Sequence, residues 1–207
     1  MKNKLIIVAG CSGSGKTTVS KTIKDSFNKK DVQIICMDRF YKKSPKYMPK
    51  TEKSRHPNFD HPDSFDWPIL RRCLKDLLNN KSTRLPVYDY IKHVRLDKTE
   101  LAKPTKIIIL EGVLALNDEK VNELAELKLF VDTHTDECFT RRLKRDQEER
   151  GRTIESIVLQ WTESVKPMYD KYVKPIRWSS DFLIPWDKPN QHSLNYLIAA
   201  IKSVLKD

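Results

Sequence analysis

The stretch that most constrains this chain is a glycine-rich loop, Gly10-Cys11-Ser12-Gly13-Ser14-Gly15-Lys16-Thr17. It fits the pattern G-x-x-x-x-G-K-[ST] at every fixed position, and three of the five glycines of the chain lie in it. Residues 5–9 form an aliphatic run typical of a buried parallel strand, and Val19, Ile23 and Phe27 recur at the spacing of one helix face. Strand, loop and helix are the context in which this pattern binds phosphate.

Each residue type in the loop has a physical role in holding a nucleoside triphosphate. Glycines let successive N–H groups point at phosphate oxygens, and the helix that follows adds partial positive charge. We expect residues 10–18, from Gly10 to Thr18, to bind ATP, with Lys16 on the β- and γ-phosphates and the Thr17 hydroxyl on Mg²⁺. The alternative is a chance match in an ordinary strand–helix turn, and the context counts against it.

Composition narrows the class of protein. The chain has 207 residues, of which 39% are hydrophobic and 32% charged, as in a globular domain, and its longest apolar runs are too short to cross a membrane. Residues 1–4 leave no room for a signal peptide, and four scattered cysteines without metal-ligand spacing suit the reduced thiols of a cytosol. We therefore expect a cytoplasmic protein. The net charge of +11 suits an anionic substrate, nucleic acid or a lysine-rich surface equally well.

Hydrophobic runs predict an α/β fold. Strands are expected at residues 5–9, 32–37, 107–110, 127–131 and 182–184, with helices at about 18–28, 66–78, 135–149, from 153 and after 190. This alternation predicts a doubly wound parallel sheet with helices on both faces, in one P-loop kinase domain over residues 1–207. Residues 84–103 predict a β-hairpin insertion and 135–165 a helical lid, while the polar stretch 39–66 is expected to be a functional or disordered loop.

Two acidic residues lie where strands end. Asp38 follows the second strand and is predicted to face the γ-phosphate and accept a proton from an attacking hydroxyl. Glu111 ends the aliphatic run 107–110 and is expected to hold Mg²⁺, directly or through water. The alternatives are a turn aspartate for Asp38 and a surface acid for Glu111.

Arginines cluster around the end of the long helix, at Arg141, Arg142, Arg145, Arg150 and Arg152. Arg142 and Arg145 are i, i+3 neighbours that can converge on one anion, and a mobile arginine-bearing lid would supply charge and exclude water. The alternative is a solvated basic helix whose arginines pair with Asp146, Glu148 and Glu149.

Tyr88 and His93 lie five residues apart in the predicted hairpin. A tyrosine ring beside an imidazole can stack on a nucleobase and hydrogen-bond its edge, although a lone histidine in a loop is more often a surface residue.

Taken together, these segments resemble the uridine kinases, in the family that also holds the phosphoribulokinases. The resemblance rests on the phosphate loop, D-R-F-Y at 38–41, N-F-D-H-P-D at 58–63, P-V-Y-D at 86–89 with His93 and Arg95, I-L-E-G at 109–112, F-V-D-T at 130–133, R-R-x-x-R-D at 141–146, E-R-G-R at 149–152 and K-P-M at 166–168. It covers nearly the whole chain in order, and N-F-D-H-P, P-V-Y-D and E-R-G-R are more specific than the phosphate loop.

The resemblance implies Mg²⁺-dependent transfer of the ATP γ-phosphoryl group to the 5′-hydroxyl of uridine or cytidine. It implies Asp38 as general base, Asp60 on the ribose hydroxyls with Arg152 and Gln160 assisting, and Tyr88 and His93 on the pyrimidine. Arg142, Arg145 and Arg150 would attend the phosphates, with Arg145 and Lys16 contributing to catalysis. A homotetramer inhibited by pyrimidine triphosphates is also implied, and neither nucleic acid nor a membrane is expected as a partner.

Two departures from the family pattern leave questions open. Arg39 stands where a small residue usually follows the base, and Trp186-Asp187-Lys188-Pro189 replaces a glycine-containing turn near the adenine, which leaves GTP open as a donor. The alternatives are a related kinase for nicotinamide riboside, ribulose phosphate or a similar acceptor, a nucleotide-binding regulator without activity, and a basic P-loop protein on nucleic acid.

Overall fold

The structure is a computed structural model that describes residues 3–53, 55–90 and 92–204. Seven strands are found in this part of the chain: β1 (Lys4–Gly10), β2 (Val32–Cys36), β3 (Thr83–Asp89), β4 (Val94–Ala102), β5 (Ile107–Glu111), β6 (Ala125–Asp132) and β7 (Phe182–Pro185). Five of them form a parallel sheet in the order β2-β5-β1-β6-β7, and β3 and β4 form a separate antiparallel pair. The predicted parallel sheet is confirmed.

The helices of the described residues are α1 (Lys16–Asp25), α2 (Trp67–Leu78), α3 (Glu119–Asn122), α4 (Thr135–Glu148), α5 (Ile154–Gln160), α6 (Lys166–Met168) and α7 (Gln191–Val204). Two π-helical turns, Trp161–Val165 and Tyr169–Val173, join α5 and α6 to the segment that follows. Side chains cap the N-termini of α2, α5 and α7: Asp66 accepts from the Ile69 N–H, Thr153 from that of Ser156 and Asn190 from that of Ser193.

Helices cover both faces of the parallel sheet. Alternate residues of β1 point to opposite sides, so Leu5 and Ile7 join one buried cluster while Ile6 and Val8 join the other. The first cluster contains the apolar face of α2, and the second contains those of α1 and α7. This is the doubly wound arrangement that the alternation of strands and helices predicts.

Several boundaries differ from those predicted, and one short helix was not predicted. Helix α1 ends at Asp25, so Phe27 lies beyond it and packs against the second cluster from outside the helix. Strand β6 begins at Ala125 rather than at 127, and the short helix α3 was not predicted from the sequence.

The polar stretch 39–66 is structured rather than open. It contains the 3₁₀ turns Pro45–Tyr47 and Pro62–Ser64, and isolated β-bridges join Tyr41 to Phe65 and Lys50 to Pro57. These long-range pairs fold the stretch back on itself beside the carboxyl end of β2.

Arg39, whose role the sequence left open, holds the β3–β4 hairpin. Its guanidinium donates to Glu100 on β4 at 2.6 Å and to the carbonyl of Pro86 on β3 at 3.4 Å. The residue after Asp38 therefore points toward the hairpin and fixes its position relative to the main sheet.

All four cysteines are free thiols in the structure. Within the described residues, no helix combines the length and the apolar character that crossing a membrane requires.

The core under α2 offers a test of the fold. Leu74 is fully buried in the first cluster, whereas Leu101 on β4 keeps 59% of its surface exposed. We expect Leu74→Ala to lower the free energy of unfolding by about 2–5 kcal/mol through lost burial and a residual cavity. Leu101→Ala, the same chemical change at the surface, should cost no more than about 0.5 kcal/mol. Urea denaturation measures both, and equal effects would contradict the burial assigned to α2.

Candidate active site

The order of the parallel strands brings the predicted acidic residues to the phosphate loop. Glu111 is paired in register with Val8 of β1 and with Cys36 of β2, so β5 lies between the other two strands. The loop follows β1, and Asp38 lies two residues after β2. All three features therefore lie at the carboxyl edge of the sheet.

The phosphate loop is packed closely on its neighbours. A Cβ added to Gly13, whose φ is +87°, would lie 2.2 Å from the Cys138 carbonyl oxygen, and one added to Gly15 would lie 2.4 Å from the Trp186 ring. The Thr133 hydroxyl donates to the Ser14 carbonyl at 3.0 Å. The loop is therefore held from α4 and from the turn after β7, which preorganises it for phosphate.

Lys16 and Asp38 face each other across the site, and each has a shifted pKa. Burial lowers the pKa of Lys16, against the opposing charges of Glu111 and Asp38. Burial raises the pKa of Asp38, and the charges of Asp60 and Glu111 add to the rise while Lys16 opposes it. The Lys16 ammonium donates to the Cys11 carbonyl at 2.8 Å. A carboxyl group with a raised pKa is suited to accept a proton.

Thr17 and Glu111 fit the requirements of a magnesium site. The Thr17 hydroxyl lies 3.3 Å from Glu111 Oε1, and the buried Glu111 Oε2 has no hydrogen-bond partner among the described residues. A buried carboxylate oxygen without a partner is costly unless a cation or water satisfies it. Hydroxyl and carboxylate oxygens are ligands that Mg²⁺ prefers, so the residues present suit this ion.

Four of the predicted arginines gather on one carboxylate. Asp146 is fully buried and lies 2.8 Å from Arg145, 3.3 Å from Arg150, 3.3 Å from Arg152 and 3.6 Å from Arg142. Burial alone would raise the pKa of Asp146, but the hydrogen bond from Arg145 and the surrounding arginine charges hold it below its usual value. The arginines pair with Asp146, as the alternative of a basic helix with paired arginines predicted, but the carboxylate itself is fully buried.

Arg142 and Arg152 meet at Gln160. The Gln160 side-chain oxygen accepts from Arg142 at 2.8 Å and from Arg152 at 2.6 Å. Arg142 also donates to the Ser12 hydroxyl in the phosphate loop at 2.7 Å. This chain of hydrogen bonds links the loop to α5.

A cavity of about 320 Å³ adjoins these residues. Its walls come from the 39–66 stretch, from the hairpin and from the helical segment that begins with α5. They include three residues predicted from the sequence, His93, Arg152 and Gln160, together with Phe59 and Ser164. The cavity is large enough for a small ligand and is open to solvent on one side.

Asp60 lies beside the cavity and is held by a hydroxyl. Ser164, in the first π-helical turn, lies 2.7 Å from Asp60 Oδ2 and 2.9 Å from the side-chain oxygen of Asn58. The Ser164 hydroxyl has one proton, which it can donate to the Asp60 oxygen or to the Asn58 oxygen. Ser164 and Asn58 are both buried, so Asp60 is fixed from the helix and from its own loop.

His93 and Tyr88 occupy different positions in the site. The His93 ring packs 4.9 Å from the Phe59 ring at the cavity wall, and partial burial together with the Arg152 charge lowers its pKa. Tyr88 is buried against Tyr41, with a ring separation of 5.2 Å, and its hydroxyl has no hydrogen-bond partner in the described part of the chain. His93 therefore lines the cavity, whereas Tyr88 is not among the residues that line it.

The unusual turn after β7 is attached to α4. Arg141 donates to the carbonyls of Trp186 and Asp187, at 3.0 and 2.5 Å. Asp187 accepts from the backbone N–H of His134 at 2.8 Å and lies 2.7 Å from its ring. Trp186 is buried against Gly15, so this turn supports the phosphate loop directly.

Sequence reasoning missed Asp146, Phe59, Asn58 and Ser164 as site residues. The signal for Asp146 was present, since it lies four residues after one arginine and four before another. Phe59 and Asn58 belong to a segment that carries the family resemblance. Ser164 had no local signal, because a π-helical turn and not a sequence motif directs its side chain.

Sequence comparisons identify the family to which this chain is similar. Residues 5–192 match the Phosphoribulokinase / Uridine kinase family. A uridine kinase of Lactobacillus johnsonii is 41% identical over 206 residues, which cover 99% of this chain and 97% of the relative. A uridine kinase of Mycoplasma genitalium is 43% identical over 202 residues, which cover 97% and 93%.

Solved structures share the fold at low identity. A protein described as a possible uridine kinase from Bacillus stearothermophilus gives a TM-score of 0.65 at 14% identity, over 89% of each chain. A phosphoribulokinase from Rhodobacter spheroides gives 0.63 at 16% identity, over 88% of this chain and 69% of that one. With a family match over residues 5–192 and relatives about 40% identical along nearly its whole length, the chain belongs to the phosphoribulokinase/uridine kinase family and is a P-loop kinase.

Proposed function

We propose that this kinase transfers the γ-phosphoryl group of ATP to the 5′-hydroxyl of uridine or cytidine, with Mg²⁺ as cofactor. The observation that carries the proposal is the charge environment of Asp38, on which both Lys16 of the phosphate loop and Asp60 act. Asp60 in turn accepts a hydrogen bond from Ser164, which lines the cavity. The names of the relatives, both uridine kinases, support the nucleoside acceptor. We expect the enzyme to act in the cytoplasm as a homotetramer.

On the donor side, residues 10–18 bind the triphosphate. Backbone N–H groups of the loop and the N-terminus of α1 hold phosphate oxygens, and Lys16 leaves the Cys11 carbonyl to reach the β- and γ-phosphates. Thr17 and Glu111 hold Mg²⁺, which neutralises charge on the phosphates when it is bound.

On the acceptor side, Asp60 binds the ribose hydroxyls and Asp38 accepts the proton of the 5′-hydroxyl. The raised pKa of Asp38 suits this role, because a general base works best when its pKa approaches the working pH. Arg142, Arg145 and Arg150 stabilise charge on the transferred group, while Arg152 and Gln160 position the ribose.

His93 reads the edge of the base. Its lowered pKa favours the neutral imidazole, which donates from one nitrogen and accepts at the other, so it can serve both uracil and cytosine. Phe59, beside His93, offers an aromatic face for stacking, and we place Tyr88 behind the base as the support of this wall.

A coupled assay of nucleoside diphosphate release, ADP from ATP and GDP from GTP, over a panel of acceptors tests the proposal. The panel contains uridine, cytidine, nicotinamide riboside and ribulose 5-phosphate, each with ATP and with GTP as donor. We expect turnover with the two pyrimidine nucleosides and none in Lys16→Ala, which loses the point charge on the β- and γ-phosphates. If the enzyme preferred another acceptor of the panel, that acceptor would be its substrate and the proposed nucleoside acceptor would be wrong.

Asp38→Asn tests the general base. The amide keeps the shape of the side chain but cannot accept the proton, so we expect kcat to fall by about 10²–10⁴-fold with little change in ATP affinity. Steady-state kinetics and calorimetric binding of a non-hydrolysable ATP analogue measure the two quantities. The control is Asp25→Asn, the same change at an exposed position at the end of α1. If the kcat of Asp38→Asn equalled that of the control, Asp38 would not be the general base.

The pH dependence gives a second test of Asp38. Only its deprotonated form accepts a proton, so kcat/KM should rise with pH through the pKa of Asp38 in the free enzyme. Because that pKa is raised, the rise should be centred above the ordinary aspartate value of about 3.9. The residual activity of Asp38→Asn should lack this rise, with circular dichroism confirming a folded protein at each pH. If the variant showed the same rise of kcat/KM with pH, the rise would come from the titration of another group.

His93→Ala tests the reading of the base. We expect kcat/KM for uridine and cytidine to fall by the equivalent of about 1–3 kcal/mol, because the base loses its hydrogen-bond partner. The KM for ATP should stay unchanged, and discrimination against other nucleosides should narrow. Lys92→Ala, at the adjacent exposed residue of the hairpin loop, is the control. Unchanged pyrimidine efficiency and preference in His93→Ala would show that His93 does not contact the base.

A further inference from the structure

Asp146 is a buried carboxylate that the proposed reaction does not use directly. Its two oxygens face different arginines. Oδ1 accepts from Arg145 at 2.8 Å and lies 3.3 Å from Arg150, whereas Oδ2 lies 3.3 Å from Arg152 and 3.6 Å from Arg142. One side chain therefore contacts all four arginines assigned to the donor phosphates or the ribose.

The charges around Gln160 require an anion nearby. Arg142 and Arg152 donate to the same Gln160 oxygen, so two guanidinium groups lie close together and repel each other. In the part of the chain that the structure describes, the ion pairs of both arginines are made with Asp146 Oδ2. Without this charge, the arrangement that joins the two arginines would be opposed by their repulsion.

Each of these two arginines contacts a different part of the site. Arg142 donates to Ser12 in the phosphate loop at 2.7 Å, and Arg152 lines the acceptor cavity. A carboxylate that fixes both therefore acts on the donor side and the acceptor side at once.

We propose that Asp146 is a positioning residue for phosphoryl transfer, which holds Arg142 at the phosphate loop and Arg152 at the acceptor cavity by neutralising the repulsion between them. The proposal rests on the proposed function, since that function assigns the cavity to the nucleoside. Asp146 touches no substrate itself; it acts through the arginines.

A structural role alone gives a different expectation. Buried ion pairs are weak evidence for stability, because desolvation offsets much of their attraction. If Asp146 only stabilised the fold, its replacement would lower the melting temperature and leave the kinetics of the folded enzyme intact. A positioning role predicts specific changes in kcat and in the KM for uridine below the melting temperature.

The experiment is a double-mutant cycle between Asp146→Asn and Arg152→Gln, measured with ATP and uridine. We expect Asp146→Asn to lower kcat by about 10–100-fold and to raise the KM for uridine, because misplacing a positioning group by about 1 Å costs a factor of this size. The fall in kcat should exceed any loss of affinity for a non-hydrolysable ATP analogue, because the positioned arginines act most strongly on charge that develops in the transition state.

The cycle identifies the residue through which Asp146 acts. Arg152→Gln removes one of the repelling cations, so the double variant should lose less in kcat/KM than the product of the two single losses. Glu148→Gln is the matched control: it makes the same change of charge two residues along α4, at an exposed side chain. Its kinetics should equal those of the wild type.

Two results would overturn the proposal: wild-type kinetics in Asp146→Asn, or strictly additive effects in the cycle. If Asp146→Asn does not fold, Asp146→Glu decides, since it keeps the charge and moves the oxygens by one methylene. Lower kcat with a normal melting temperature would then support the proposal, and wild-type kinetics would overturn it. If the wild-type enzyme does not phosphorylate uridine, the proposed function fails, and the same cycle is run with the acceptor that the panel identifies.

Discussion

Parallel pairing of β1 with β5, and of β5 with β2, brings the ends of three strands to one edge of the sheet. The phosphate loop follows β1, Glu111 ends β5 and Asp38 follows β2, so the loop and both carboxylates lie at this edge. A one-residue slip of β5 would turn the side chain of Glu111 to the other face of the sheet. The aliphatic sequence of the strands therefore does more than form a core, because it sets the register on which the site depends.

The site keeps opposite charges close together before any nucleotide binds. The charges of two carboxylates, Glu111 and Asp38, act on Lys16, and four arginines surround Asp146, so the cationic and anionic groups are largely paired inside the protein. Arg145 and Arg150 keep more of their side chains exposed than Arg142, at 33% and 51% against 8%. The two outer arginines can therefore turn toward an incoming phosphate at a small cost in packing, while Arg142 stays fixed at the loop.

The sequence predicted the parts of the molecule that depend on local chemistry. The phosphate loop could be identified because its backbone shape requires glycine at positions such as Gly13, and Asp38 and Glu111 because strand ends in this fold point to one edge. Asp146 was predicted only as a partner of solvated arginines, since a charged residue among arginines on a helix is usually solvated. The partner of Arg39, Glu100, is 61 residues away, so only the folded hairpin reveals it.

The helical segment after α4 carries side chains that contact both the proposed donor side and the proposed acceptor side of the site. Gln160 ends α5, and Ser164 lies four residues later in the π-helical turn, so both side chains reach the cavity from one segment. Gln160 joins the arginines and, through Arg142, the phosphate loop, whereas Ser164 contacts Asp60. A wider helical turn re-aims side chains relative to an ordinary α-helix. Any shift of this segment toward bound phosphate therefore also moves the group that fixes Asp60.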